Sequence, residues 1–203
     1  MAPLSPGLAA AFAGAAAPRQ LLLFSGHMVD APDRAVPRFP PAHVAGAAER
    51  IDAALAALGA GPADVGLTQG AAGADLLFAE ACIARGVRLY LLLPFAVPEF
   101  IERSVLPSAD GEAWRRRFES VQPHLAAPPF EAPCELGALA PEENPFERCN
   151  AWLLRTALHA GIERLRFVCL WDGAPGGAGG TGQMVDSVRG AGAPVTWIDS
   201  RGL

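Results

Sequence analysis

Short apolar runs alternate with segments of helical period along most of the chain. Leu21-Leu22-Leu23-Phe24 is continuously apolar and ends at Ser25-Gly26, the pattern of a buried first strand. A polar, proline-rich loop spans residues 27–41. Val44, Ala47, Ala48, Ile51, Leu55 and Leu58 then recur at helical spacing, and Gly59 closes that helix. Val65 to Thr68 reads as a second strand. A helix is predicted from Ala74 to Arg85, closed by Gly86. Val87 to Leu93 is the third strand, stopped by Pro94. Helical segments are predicted from Pro98 to Val105 and from Glu112 to Leu125, and a weak strand from Ala132 to Leu136. Asn144, Pro145 and Glu147 form a helix start, with Asn144 as N-cap, Pro145 in the first turn and Glu147 completing a capping box. That helix runs to about Ala160. Leu165 to Trp171 is a strong strand, Gly179 to Arg189 turns from loop to helix, and Pro194 to Ile198 is the last strand.

Strands that are apolar on both faces must be covered on both faces. The alternation therefore predicts an α/β chain with one doubly wound, Rossmann-like domain. Its mostly parallel sheet has about six strands, with helices on both sides. The domain is expected over residues 20–203. Residues 1–19, rich in Ala, Gly and Pro, read as a flexible N-terminal tail, with no basic start of the kind a signal peptide carries.

Composition narrows the chemistry. All 16 basic residues are arginine, which excludes a lysine-bearing phosphate loop, a lysine Schiff base and a Ser-Lys dyad. A net charge of −5 argues against a nucleic-acid surface, apart from a local Arg115-Arg116-Arg117 run. No apolar run reaches membrane-spanning length, so no membrane association is expected. The four cysteines form no C-x-x-C pair and read as thiols of a reducing cytoplasm. The four histidines are scattered, so neither a metal nor another cofactor is expected.

Ligands of such sheets sit at the carboxyl ends of the strands. Three loops fall there. Ser25, Gly26 and His27 follow the first strand and offer hydrogen bonds and close backbone approach. Gly70, Ala71, Gly73 and Asp75 open the helix after the second strand, where free amides favour an anion. Asp75 either caps that helix or meets a ribose hydroxyl. Trp171 and Asp172 lead into the third loop, where Gly176, Gly177, Gly179 and Gly180 run to Thr181 as a nest of amides with an added hydroxyl. No G-x-G-x-x-G follows the first strand, which disfavours an ordinary NAD dehydrogenase. Arg34 and Arg38 of the long loop are either solvated charges or a phosphate clamp, the former expected. Phe39 and Trp171 are either core aromatics at strand ends or base-stacking rings, again the former expected.

These three motifs, in this order, resemble the SLOG superfamily, which includes the Lonely Guy and DNA-processing protein A families. The resemblance spans Leu21 to Ile198. It implies a Rossmannoid sheet that binds or senses a nucleotide or nucleotide-derived ligand, with a homo-oligomer or a signalling protein as partner. Asn150 matches a polar position of some members, near Glu142 and Glu143. Lonely Guy enzymes cleave a nucleotide N-glycosidic bond and carry a glutamate three residues after the threonine of the glycine loop. Here that residue is Met184, preceded by Gln183, with Asp186 two residues further on a different helical face. Binding is therefore expected over hydrolysis. The alternative is a nucleoside-monophosphate N-glycosidic hydrolase or transferase, which would draw its carboxylate from Asp75, Glu80, Asp172 or Asp186. DNA binding is the third reading and is opposed by the acidic balance.

Overall fold

The computed structural model describes residues 4–12 and 17–203. Its strands are β1 (Leu21–Gly26), β2 (Val65–Thr68), β3 (Arg88–Leu93), β4 (Phe130–Glu131), β5 (Leu165–Trp171) and β6 (Val195–Asp199). Its helices are α1 (Pro6–Phe12), α2 (Val44–Ala57), α3 (Ala74–Ala84), α4 (Val97–Ser104), α5 (Gly111–Val121), α6 (Ala132–Leu136), α7 (Pro145–His159) and α8 (Thr181–Gly190). One sheet of order β4-β3-β2-β1-β5-β6 joins all the strands, and every neighbouring pair is parallel. The fold is a doubly wound, Rossmann-like α/β domain.

The two-residue period of a strand sorts the side chains to two faces. Leu22 and Phe24 of β1 enter one core with α2, α3, α4 and α5, where Phe24 stacks on Phe78 with ring centroids 4.7 Å apart. Leu21 and Leu23 enter the other, with α1, α7 and α8. This two-sided burial is why the strands read as unbroken apolar runs. Cys82, Cys149 and Cys169 are buried free thiols, and Cys134 is an exposed one. Burial pushes the Cys82 and Cys149 thiols well above their ordinary value and Cys169 up to about 12.

Three local expectations differ from the structure. The segment Ala132–Leu136 is the helix α6, not a strand. The strand lies just before it, where Phe130 and Glu131 pair with Leu92 and Leu93. Pro133 explains the shift, because it has no N–H for a ladder but fits the first turn of a helix. At α7, Asn144 caps as expected, accepting from the amides of Phe146 (2.9 Å) and Glu147 (3.2 Å). Glu147 accepts from the Gln183 side-chain amide at 3.0 Å, tying α7 to α8. Within residues 1–19, where a loose tail is expected, Pro6–Phe12 is helical. Leu8 is fully buried, and the Gly7 amide donates to Glu135. Residues 1–3 and 13–16 of that tail lie outside the described residues.

Candidate functional site

The chain leaves β1 towards β2 on one side, while β5 lies against β1 on the other. That reversal splays the loops after β1 and β5 to opposite faces and opens a crevice at the strands' carboxyl ends. A cleft of about 190 Å³ occupies this point. It brings together residues from all three loops named from sequence. Ser25, Gly26 and His27 line it from the first, Ala71 and Asp75 from the second. Asp172, Gly176, Gly179, Gly180 and Thr181 line it from the third.

Four of the expected residues stand elsewhere. Gly70 backs onto Leu91 and Phe118, and Gly73 sits under His27 and Val29. Gly177 and Trp171 line a shallower depression on the outer side of the glycine loop. Trp171 supports that loop from below, donating from its indole to the Ala174 carbonyl at 2.9 Å. Phe39 is entirely in the core.

The second loop is held by its own aspartate. Asp75 is buried and accepts from the amides of Gly26 (3.1 Å), Gly70 (3.2 Å) and Ala71 (3.4 Å). Its carboxylate staples the end of β1 to the turn after β2. Those amides are engaged by the fold, and the Ala74 amide at the start of α3 donates to the His27 carbonyl at 3.2 Å.

Burial pushes the Asp75 carboxyl up to about 6, against the opposing amide hydrogen bonds. A carboxyl whose pKa is raised on folding contributes stability at low pH and loses it as pH rises through the folded value. The span from the ordinary 3.8 to about 6 corresponds to roughly 3 kcal/mol. Urea melts between pH 4 and pH 7 are therefore expected to show wild type losing stability relative to Asp75→Asn as pH rises. Parallel pH profiles for the two proteins would refute this.

The third loop is clamped rather than free. Asn150, buried on α7, donates to the Gly179 carbonyl (3.0 Å) and to Gln183 Oε1 (3.3 Å), and accepts from Gln69 Nε2 at 2.9 Å. The Gly179 amide donates to Gln183 Oε1 at 3.2 Å. Gly176 and Gly182 let this loop pack closely against the first turn of α8, whose Thr181 and Gly182 still line the cleft. A Cβ on Gly182 would lie 2.9 Å from the Gly176 nitrogen. The first amides of α8 have no intrahelical acceptor, and the helix dipole adds positive potential there. The Thr181 and Ser25 hydroxyls stand beside this helix start, 3.5 Å apart.

His27 and Asp172 meet at the cleft floor. His27 Nε2 lies 3.1 Å from Asp172 Oδ1 and 3.2 Å from the Asp172 amide nitrogen. The neutral ring, protonated on Nδ1, accepts the amide; the protonated ring donates to the carboxylate. Burial lowers the His27 pKa, and Asp172 partly restores it. Although burial opposes ionisation, the Ala174 amide and His27 hold Asp172 below the usual carboxylate value. Arg38 also lines the cleft; burial and the nearby Arg34 lower its pKa.

Arg38, expected as a solvated charge rather than a phosphate clamp, lines the cleft together with Met28, Gln69, Ser104 and Phe146, for which no site role is expected from sequence. Gln69 carried a signal, being a polar residue directly after a strand. The others reach the cleft only through tertiary packing. The remaining acidic candidates do not line it. Glu80 pairs with Arg117, and Asp186 faces the outer depression. Glu142 and Glu143 are exposed before α7. The position of interest after Thr181, Met184, is fully buried in the core between α7 and the sheet. The arginine run is largely neutralised, with Arg115 between Glu112 and Glu119 and Arg117 on Glu80 and over the Trp114 ring. Among the described residues, no helix is long and apolar enough to cross a membrane, and no group of three or more His, Cys, Asp or Glu side chains is arranged to hold a metal ion.

No family model and no curated protein matches the chain. Among solved structures it is similar to Streptococcus suis SuiB, determined bound to S-adenosylmethionine, with 8% identity and a TM-score of 0.27. That match covers 89% of this chain and 47% of SuiB, so the chain spans about half the length of that protein. A likeness this distant carries no argument about the site.

Proposed function

We propose that the chain binds a phosphate-bearing, nucleotide-derived small molecule in the cleft between β1 and β5, as a recognition domain of the SLOG type. The observation that carries this reading is the open start of α8, with the Thr181 and Ser25 hydroxyls beside it, at the topological switch point. The phosphate sits against the amides of Thr181 and Gly182. The cleft is smaller than the roughly 300 Å³ at which pockets for drug-sized ligands begin. It suits a phosphate and sugar, with any base reaching outward past Phe146 or Met28.

Recognition is favoured over cleavage. A glycosidic cleavage needs a carboxylate free to meet the sugar. Asp75 is engaged by three amides, and Asp172 is held through Oδ1 by His27 and the Ala174 amide. A side chain at Met184 points into the core.

Isothermal titration with AMP, ADP-ribose, cyclic nucleotides and unphosphorylated adenosine tests the proposal. A phosphorylated nucleoside is expected to bind and adenosine not. Gly180→Leu and Thr181→Val should each weaken binding about tenfold, the size of one lost charge-assisted contact. Absence of binding by every phosphorylated nucleoside, or unchanged affinity in both variants, would overturn it. Release of free base from AMP would favour the hydrolase instead.

A further inference from the structure

Two hydrogen-bond donors in the cleft have no partner. Ser104, the last residue of α4, is 2% exposed, and its hydroxyl makes no hydrogen bond. Its carbonyl is already engaged by the Ala72 amide at 2.9 Å, so the backbone there is fixed. Arg38 Nε is likewise buried and unpartnered. Both residues line the cleft. Buried polar groups are nearly always satisfied, and a guanidinium cannot escape the demand by losing its proton.

The nearby carboxylates do not answer it. Asp30 spends Oδ2 on the amides of Arg38 and Phe39, and Oδ1 faces Arg34 at 3.2 Å. Asp172 spends Oδ1 on His27 and the Ala174 amide, and neither of its oxygens bonds Arg38 Nε. Arg34, Asp172 and Asp30 all act electrostatically on the Arg38 head, but none of them hydrogen-bonds its Nε.

Arg38 and Ser104 also stand apart from the α8 start. Phe39, Phe100 and Val105, their chain neighbours, are buried in the core on the α2–α5 side of the sheet. Thr181 leads into Met184 and Val185, buried on the α7–α8 side. The cleft thus spans the carboxyl ends of the central strands, with donors on both sides of the sheet.

We infer that the cleft has a second oxyanion-accepting pole, formed by Arg38 and Ser104 across the strand ends from α8, and that its ligand carries two anionic groups. This rests on the phosphate-binding reading above. The second group is a phosphate or a carboxylate, since both present the acceptor oxygens these donors lack.

Matched pairs separate the sources by calorimetry. Adenosine 3′,5′-bisphosphate against AMP tests a second phosphate. Orotidine 5′-monophosphate against uridine 5′-monophosphate tests a carboxylate. Wild type is expected to prefer the doubly anionic member of at least one pair by about tenfold or more. Arg38→Gln and Ser104→Ala should each bring that ratio towards one. Ser104→Ala removes only an unpartnered hydroxyl, so its fold is expected to survive. Equal affinities within both pairs, or a preference that persists in both variants, would overturn the second pole while leaving the phosphate site standing. Binding of none of the four compounds would overturn both.

Discussion

Asp75→Ala is expected to destabilise the fold by about 3 kcal/mol at pH 7. The three amides it releases are buried on Gly70 and part-buried on Gly26 and Ala71, and at roughly 1 to 3 kcal/mol for each unsatisfied amide the three together cost roughly 3 to 9 kcal/mol. Against that stands the roughly 3 kcal/mol regained when a buried acid no longer ionises. The middle of the first range less the second leaves the net figure. At this chain length it corresponds to a fall in melting temperature of roughly 6 to 12 °C. The loss should be greater at pH 5, where the wild-type carboxyl is held protonated by the fold and the relief is smaller. Asp75→Asn keeps the volume but turns one acceptor into a donor facing amides, so it does not restore stability. Thermal and urea melts of the two variants decide the matter. A melting temperature within 2 °C of wild type for Asp75→Ala would show the staple to be dispensable. Because the same carboxylate fixes Gly26, ligand affinity should fall with stability.

Asp75 also illustrates where sequence reading runs out. Its place in the first turn of a helix was legible, and so were two meanings, a cap or a ribose contact. Neither describes its bond to Gly26, which is 49 residues away and depends on β1 and β2 lying side by side. The sheet was legible because burial on both faces leaves unbroken apolar runs such as Leu21 to Phe24. The glycine loops were legible because strand ends and helix starts mark themselves. Arg38 was legible only as the lesser of two readings, because a polar loop residue is normally solvated, and its place in the cleft depends on how the long loop folds back beside buried Phe39. Ser104 has no pattern of its own at the end of α4. Its hydroxyl becomes notable only when the turn at Ala72 closes over it. Asn150 was named from resemblance, but its role in clamping the glycine loop needs α7 and α8 in contact.

Gly73→Ala is expected to be more damaging than loss of Asp75, destabilising the fold by about 4 kcal/mol. Gly73 precedes α3 with φ of 108° and ψ of −126°, a conformation that side chains rarely adopt and that costs roughly 1 to 3 kcal/mol when forced. The added methyl would also lie 2.6 Å from the Val29 nitrogen and 3.0 Å from the His27 carbonyl oxygen. Neither is the end of a flexible side chain. Both are backbone atoms of a small antiparallel bridge, in which the Val29 amide donates to Ala72 and the Ala74 amide to His27. The methyl must therefore push this bridge apart, adding one to three further kcal/mol as overpacking does. The displaced segment carries His27, so its contact with Asp172 and the shape of the cleft floor are lost together. Gly177→Ala is the matched control. It has open space around it and lies in the same cluster of glycine loops, so a change within about 0.5 kcal/mol is expected. Melting curves for the pair, with phosphate-ligand titration where the fold survives, separate the two glycines. A Gly73→Ala protein as stable as Gly177→Ala would mean that the loop after β1 yields freely. The cleft would then lack the rigid floor on which its proposed recognition of a ligand depends.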